Sequence, residues 1–222
     1  MARREGGLRD LATALEARHG TRVTVLPRDL SEPASVHGLL EQTADQPIGL
    51  LVAAAGFGSL GSFLDQDVGQ ELNMIDLNCR SVVELAHGMG SRMVAQGRGG
   101  IVLFGSLVGF HGAPQSATYA ATKGFVQSFA EGLAAELRPG GVSVLSVAPG
   151  PVATGFGARA GMHMGLTQEP DVVVRSALAA LGRRTTVRPG FLSRFLGWSL
   201  GLLPRGGRVQ VTGLIMKGMF PR

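Results

Sequence analysis

Four short apolar runs, at residues 22–26, 48–54, 100–105 and 142–148, are separated by longer stretches of helical periodicity. None of them alternates apolar and polar residues as a strand with one wet face would. Runs that are apolar throughout read as strands buried on both faces, and the helices between them read as crossovers joining parallel neighbours. A fifth, weaker run covers 185–188, and the helical stretches are 5–19, 34–44, 68–96, 115–137 and 170–181. The pattern predicts an α/β fold around a parallel sheet. A length of 222 residues suits one such domain with a full core. Glycine is abundant at 34 residues but has no collagen-like period, and beside 45% hydrophobic residues it marks turns rather than disorder.

Charge and cysteine content narrow the function classes. The formal net charge of +5 is concentrated at the C-terminal end, where nine basic residues and no acidic one follow from Val172 onward. Residues 1–171 hold twelve basic and sixteen acidic residues, a net of −4, so the chain as a whole gives no support to nucleic-acid binding. Cys79 is the only cysteine, which excludes an intramolecular disulfide and a cysteine metal cluster. A buried thiol in a cytoplasmic protein without a metal site is expected. The first residues lack the apolar core of a secretory signal, and no stretch reaches the roughly 20 apolar residues that span a bilayer. Segment 191–203 is nonetheless apolar, carries the only tryptophan and is flanked by arginines. It is expected to cover a substrate cleft or pack in an oligomer; peripheral contact of 189–208 with an anionic membrane is the other reading.

The chemistry-bearing signal is Tyr119-Ala-Ala-Thr-Lys123. The chain has one tyrosine and two lysines, and nineteen of its 21 basic residues are arginine. On a helix, positions i and i+4 share a face, which brings the ammonium near the phenol. An unperturbed phenol has a pKa of about 10, and a neighbouring cation is expected to draw it toward neutrality, where a proton donor works best. Lysine serves as a compact point charge with rotatable donors, unlike the planar fork of arginine.

Other residues fall at matching intervals. Ser106 ends the third run thirteen residues before Tyr119, and Pro149-Gly150 follows the fourth run, with Pro149 thirty residues after Tyr119. With Asn78 in the long helix and Ala53-Ala54-Ala55-Gly56 after the second run, the chain resembles the classical short-chain dehydrogenase/reductase family over nearly its whole length, the likeness thinning after Gly155. The resemblance implies a Rossmann-like doubly wound parallel sheet holding NAD(P), and an oxidoreductase that moves hydride between nicotinamide and a carbonyl or alcohol. It implies that Tyr119 donates and accepts the proton, that Lys123 lowers its pKa and bonds the nicotinamide ribose, and that Ser106 hydrogen-bonds the substrate oxygen. Asn78 would hold a water in a proton relay. By the same carry-over Asp29 contacts adenine, Ala54 and Gly56 lie beside the adenosine ribose, and Pro149, Gly150, Val152 and Thr154 form the loop over the nicotinamide. Arg3 falls where NADP-preferring members place an arginine for the 2′-phosphate, so NADP(H) is favoured over NAD(H). Residues 155–169 match the substrate lid and, with the tail at 189–222, complete a single domain over 1–222. Met162, Met164 and the tail suggest a hydrophobic small-molecule substrate. Helix pairing of the family type, here through 68–96 and 115–137, implies a homo-dimer or tetramer. His111 and His163 have no place in this motif set and are expected to be solvated or satisfied in the core.

Two departures from the family pattern matter. The usual Asn-Asn-Ala-Gly is Ala53-Ala54-Ala55-Gly56, which removes amides that brace the sheet. At the front, the first strand, glycine-rich turn, first helix and second strand have no counterpart, so nothing before the helix at 5–19 offers a pyrophosphate a glycine turn at a helix start. In the family strand order those missing strands lie between runs 22–26 and 48–54, which leaves a gap of about 10 Å. Either Met1 is an internal methionine of a longer, ordinary reductase, or the chain is a non-catalytic family remnant acting through protein association by dimer-type helix pairing. The intact site residues favour the first.

Overall fold

The computed structural model describes residues 5–219. In chain order they form α1 (Glu5–His19), α2 (Pro33–Gln42), β1 (Leu50–Ala53), α3 (Val68–Ile75), α4 (Ser81–Ala95), β2 (Gly99–Phe104) and α5 (Ala117–Leu137). There follow β3 (Val142–Val147), α6 (Phe156–Arg159), α7 (Pro170–Ala180), β4 (Thr186–Val187), α8 (Gly190–Gly201) and α9 (Arg205–Gly218). The strands make one parallel sheet in the order β1-β2-β3-β4.

The central strands β2 and β3 are buried along nearly their whole length, which is why their sequences do not alternate. Ile101, Leu103, Val142 and Val144 join the larger core with Leu39 of α2, Met74 of α3, Met93 of α4 and Val126 of α5. Val102, Leu145 and Val147 belong to a second cluster, packed against Val173, Ala177 and Ala180 of α7. Successive residues of a strand thus feed two helical layers, the arrangement of an α/β sheet. Local signals start the helices. Pro33 and Pro170 occupy the first turns of α2 and α7, where a missing N–H is harmless, and the Asp67 side chain caps α3 by accepting from the Gly69 N–H at 2.9 Å.

The strand expected at 22–26 is not in the sheet. Among the described residues β1 pairs with β2 alone, and Leu50 and Val52 remain 42% and 51% exposed. The expected gap between 22–26 and β1 is therefore not closed by direct pairing. An extended segment becomes a strand only where a neighbouring strand takes its backbone hydrogen bonds; here the Val23 N–H donates instead to the Glu16 carboxylate of α1 at 2.9 Å. α1 is similarly loose: Ala12 is its only buried residue, and Leu11 is more than half exposed.

The helix expected at 68–96 is interrupted as well. Between α3 and α4, Asp76–Arg80 form a π turn, closed by the Ser81 N–H on the Asp76 carbonyl. Such bulges are frequent at functional sites, and this one contains the fully buried Asn78.

One close approach brings the end of β2 onto α5. The chain leaves β2 through a short turn at Leu107–Phe110, and a Cβ at Gly109 would come within 2.7 Å of the Lys123 carbonyl group. At Gly124 a Cβ would meet the Gly109 carbonyl oxygen at 3.0 Å. Both surfaces are backbone, so neither can move aside as a side chain would. Gly109→Ala is expected to lower the unfolding free energy by about 2 kcal/mol, read as a lower midpoint in urea; an unchanged midpoint would show that the contact is not tight.

Candidate active site

The C-terminal ends of β1, β2 and β3 open onto one cavity of about 1100 Å³. Strand C-termini are where α/β sheets place ligands. Ala54 and Gly56 follow β1, Gly105 and Ser106 follow β2, and Pro149 and Gly150 follow β3; all line the cavity, together with Tyr119 and Lys123 of α5.

Tyr119 and Lys123 lie one turn apart on α5 and are both buried. Lys123 Nζ donates to the Phe104 carbonyl at 2.7 Å and stands 5.7 Å from the centre of the Tyr119 ring. Burial draws the lysine down to about 8, opposed by the nearby Cys79. The Cys79 thiol is itself raised to about 11 by burial, with Lys123 opposing. The expected lowering of the phenol is not what the structure shows. Burial pushes Tyr119 up to about 12, and the opposing influence is the hydroxyl of Ser106. Desolvation penalises phenolate and ammonium alike, and it outweighs the attraction that the i, i+4 spacing suggested. At neutral pH the phenol therefore keeps its proton. A protonated phenol beside a serine hydroxyl is suited to an oxygen that gains negative charge.

Asn78 lies beneath this group rather than on the cavity wall. Its Nδ2 donates to the Phe57 carbonyl at 2.9 Å and to Thr122 Oγ1 at 3.1 Å, while Oδ1 accepts from the Phe57 N–H at 3.2 Å. The side chain thus fastens the loop after β1 to α5. Gly56 passes bare above it: a Cβ there would sit 2.9 Å from Asn78 Oδ1 and 3.5 Å from Lys123 Nζ.

The remaining expected residues divide. Val152 and Thr154 line the cavity with Pro149 and Gly150. The loop is held by the Leu107 N–H on the Pro149 carbonyl at 3.1 Å and by the Gly150 N–H on Ser193 Oγ of α8 at 2.8 Å. Asp29 is not brought to the cavity: it accepts from the Ser31 N–H and hydroxyl in the turn before α2. Arg3 lies outside the described residues.

Sequence reasoning did not foresee His111 on the cavity wall. It is buried, its Nε2 lies 2.7 Å from Thr212 Oγ1 of α9, and its pKa is lowered by burial and then by Arg208 and Arg205. It is satisfied in the core as expected, but it also faces the cavity. Leu196 and Leu200 of α8 and Ile215 and Met216 of α9 supply a further wall, and Met162 and Met164 of the lid another. The lid is tied to α9 through the His163 N–H on the Met219 carbonyl at 2.8 Å. The apolar tail was the only signal for the α8 and α9 residues, since their partners are distant in the chain.

One end of the cavity fits the nicotinamide ribose half of a dinucleotide. The buried Lys123 ammonium has three donors and one acceptor, the Phe104 carbonyl, among the described residues, and bare Gly56 leaves the floor open beside it. A glycine-rich turn for the pyrophosphate has no counterpart among the described residues. The sequence profile described as short chain dehydrogenase matches residues 1–164. A 7beta-hydroxysteroid dehydrogenase of Clostridium sardiniense is 28% identical over 198 residues, covering 87% of this chain and 76% of that protein. A structure from work on 7beta-hydroxysteroid dehydrogenase stereoselectivity superposes with a TM-score of 0.87 at 22% identity, over 95% of this chain and 85% of the other. A short-chain dehydrogenase from Sphingobium yanoikuyae in complex with NADPH has a TM-score of 0.78 at 31% identity, over 94% of this chain and 82% of the other. A chain with that profile over most of its length and that parallel sheet beneath its cavity belongs to the short-chain dehydrogenase/reductase family of oxidoreductases.

Proposed function

We propose that the protein interconverts a carbonyl and an alcohol on a hydrophobic small molecule, with NADP(H) as the hydride carrier and Tyr119 as general acid and base. The observation that carries this reading is the buried pair Tyr119 and Lys123 beside the half-buried Ser106 at the wall of a large, mostly apolar cavity. In the reductive direction Tyr119 Oη gives its proton to the carbonyl oxygen. Ser106 Oγ donates a hydrogen bond to the same oxygen as its charge grows. In the reverse direction the phenolate takes the proton, so oxidation is favoured by alkaline pH. Lys123 places positive charge beside the phenolate as it forms and offers its remaining N–H groups to the ribose hydroxyls. The dinucleotide, when bound, supplies or accepts the hydride. Asn78 acts as a positioning residue through its bonds to Phe57 and Thr122.

The cavity, at about 1100 Å³, is large for a small-molecule site, and its Met162, Met164, Leu196 and Met216 walls suit a bulky apolar substrate. The 7beta-hydroxysteroid dehydrogenase relative is in keeping with that class. The NADPH complex of the Sphingobium yanoikuyae relative and the placement of Arg3 in the sequence support NADP(H) over NAD(H). Residues 1–222 are read as one domain that self-associates. Exposed Val68, Leu72 and Ile75 on α3 and Phe125 on α5 supply apolar surface for helix pairing between copies.

Three measurements test the reading. Tyr119→Phe is expected to lower kcat for an apolar ketone by roughly a thousandfold with NADPH affinity nearly unchanged; equal turnover would remove Tyr119 from the chemistry. Lys123 loses its proton near pH 8 in the folded protein and near 10.5 when unfolded. Through this lysine the unfolded chain binds more protons in that window, so stability should rise with pH from about 8 to 9.0, above which the raised Cys79 thiol, still protonated in the folded chain, opposes the rise. Lys123→Met should flatten the rise in urea titrations, and the same slope in both proteins would contradict a buried titrating lysine. Calorimetric titration with NADPH and NADH, of residues 1–222 and of a form extended by any upstream in-frame codons, tests the carrier. Tighter NADPH binding supports the reading; binding by neither form favours a non-catalytic association role.

A further inference from the structure

We propose that α8 docks onto the surface of an anionic lipid bilayer. Phe191, Phe195, Trp198 and Leu202 recur at helical spacing along one stripe, and they are 78%, 49%, 63% and 69% exposed. The rings form a ladder: Phe191 and Phe195 stack with centroids 6.0 Å apart, and Phe195 and Trp198 meet at 6.3 Å. The opposite face of α8 is occupied. Ser193 is buried and accepts from the Gly150 N–H, while Leu196 and Leu200 line the cavity. The helix is therefore apolar on two sides, and among the described residues only the inner side is covered. A contiguous exposed aromatic stripe marks an interaction surface.

Charge selects the occupant. Arg194 is exposed within the stripe and Arg205 is exposed just beyond α8. No acidic residue occurs from Val172 to the end of the chain. A second copy placed on this surface about a two-fold axis would set arginine against arginine, whereas lipid phosphates neutralise them. Rings at the headgroup boundary with arginines alongside are the pattern of a helix lying in the membrane plane. Among the described residues no helix is long and apolar enough to cross a membrane, so the contact is peripheral. Because the inner face of α8 walls the cavity, docking would set that wall beside the phase in which an apolar substrate dissolves. The inference stands on this face and its charges, independently of the chemistry proposed above.

Trp198 is the only tryptophan, so its emission reports on the face directly. The full chain is mixed with phosphatidylcholine vesicles and with vesicles containing phosphatidylglycerol, at low and high salt, and followed by emission and sedimentation. Blue-shifted emission and co-sedimentation with the anionic vesicles, weakened by salt, are expected. Partitioning should fall about fivefold in Arg194→Gln and roughly tenfold in Phe195→Ser. Leu64→Ser, which alters an 88% exposed leucine outside α8, should leave it unchanged. No partitioning of the parent chain into anionic vesicles would overturn the proposal, as would equal binding to both vesicle types. A lipid-free blue shift that grows with protein concentration, with a doubled mass in light scattering, would instead make the stripe a self-association surface. The parent chain decides these outcomes even if a variant fails to fold, and lipid-free NADPH binding is read separately, so either proposal can fail alone.

Discussion

A buried ammonium organises the centre of this protein. Lys123 projects from α5 to the Phe104 carbonyl at the end of β2, and that bond ties the helix bearing Tyr119 to the strand that delivers Ser106. Taking a charge out of water is costly, and one backbone carbonyl compensates only partly, so the lysine titrates well below its ordinary range. The same dry surroundings hold the phenol in its protonated form. One cause, desolvation, sets the protonation of both groups, and it does so in opposite directions on the pH scale.

Other residues hold the scaffold around the reactive groups. Asn78 commits its whole amide to Phe57 and Thr122, and the π turn lets that buried residue face the loop after β1. Gly109 and Gly124 let two backbones meet where any side chain would hold them apart. Ser193 secures α8 over the loop that follows β3. Hydroxyls and amides at these points satisfy backbone groups, while Tyr119, Ser106 and Lys123 turn toward the cavity.

Order in the sheet is unequal across its width. β2 and β3 are enclosed by helices on both faces, and the site rests on them. Among the described residues β1 has no partner on its outer edge, α1 covers little, and the segment at 22–26 is left without a ladder. At the other end of the chain α8 and α9 close the cavity and present a second apolar face outward.

Periodicity and spacing already determined much of this in the sequence: the βα alternation, the two-faced burial of the central strands, the i, i+4 pairing of Tyr119 with Lys123, and the placing of Ser106 and Pro149-Gly150 at strand ends. These are short-range properties, readable because each depends on neighbours along the chain. Tertiary structure alone decided that 22–26 would stay outside the sheet, that His111 would meet Thr212 at the cavity wall, and that Asn78 would serve the loop at Phe57. It also decided the direction of the Tyr119 shift, because spacing shows that a charge is near but not how much water has been removed. Desolvation and strand pairing depend on groups far apart in sequence, and only the folded chain brings them together.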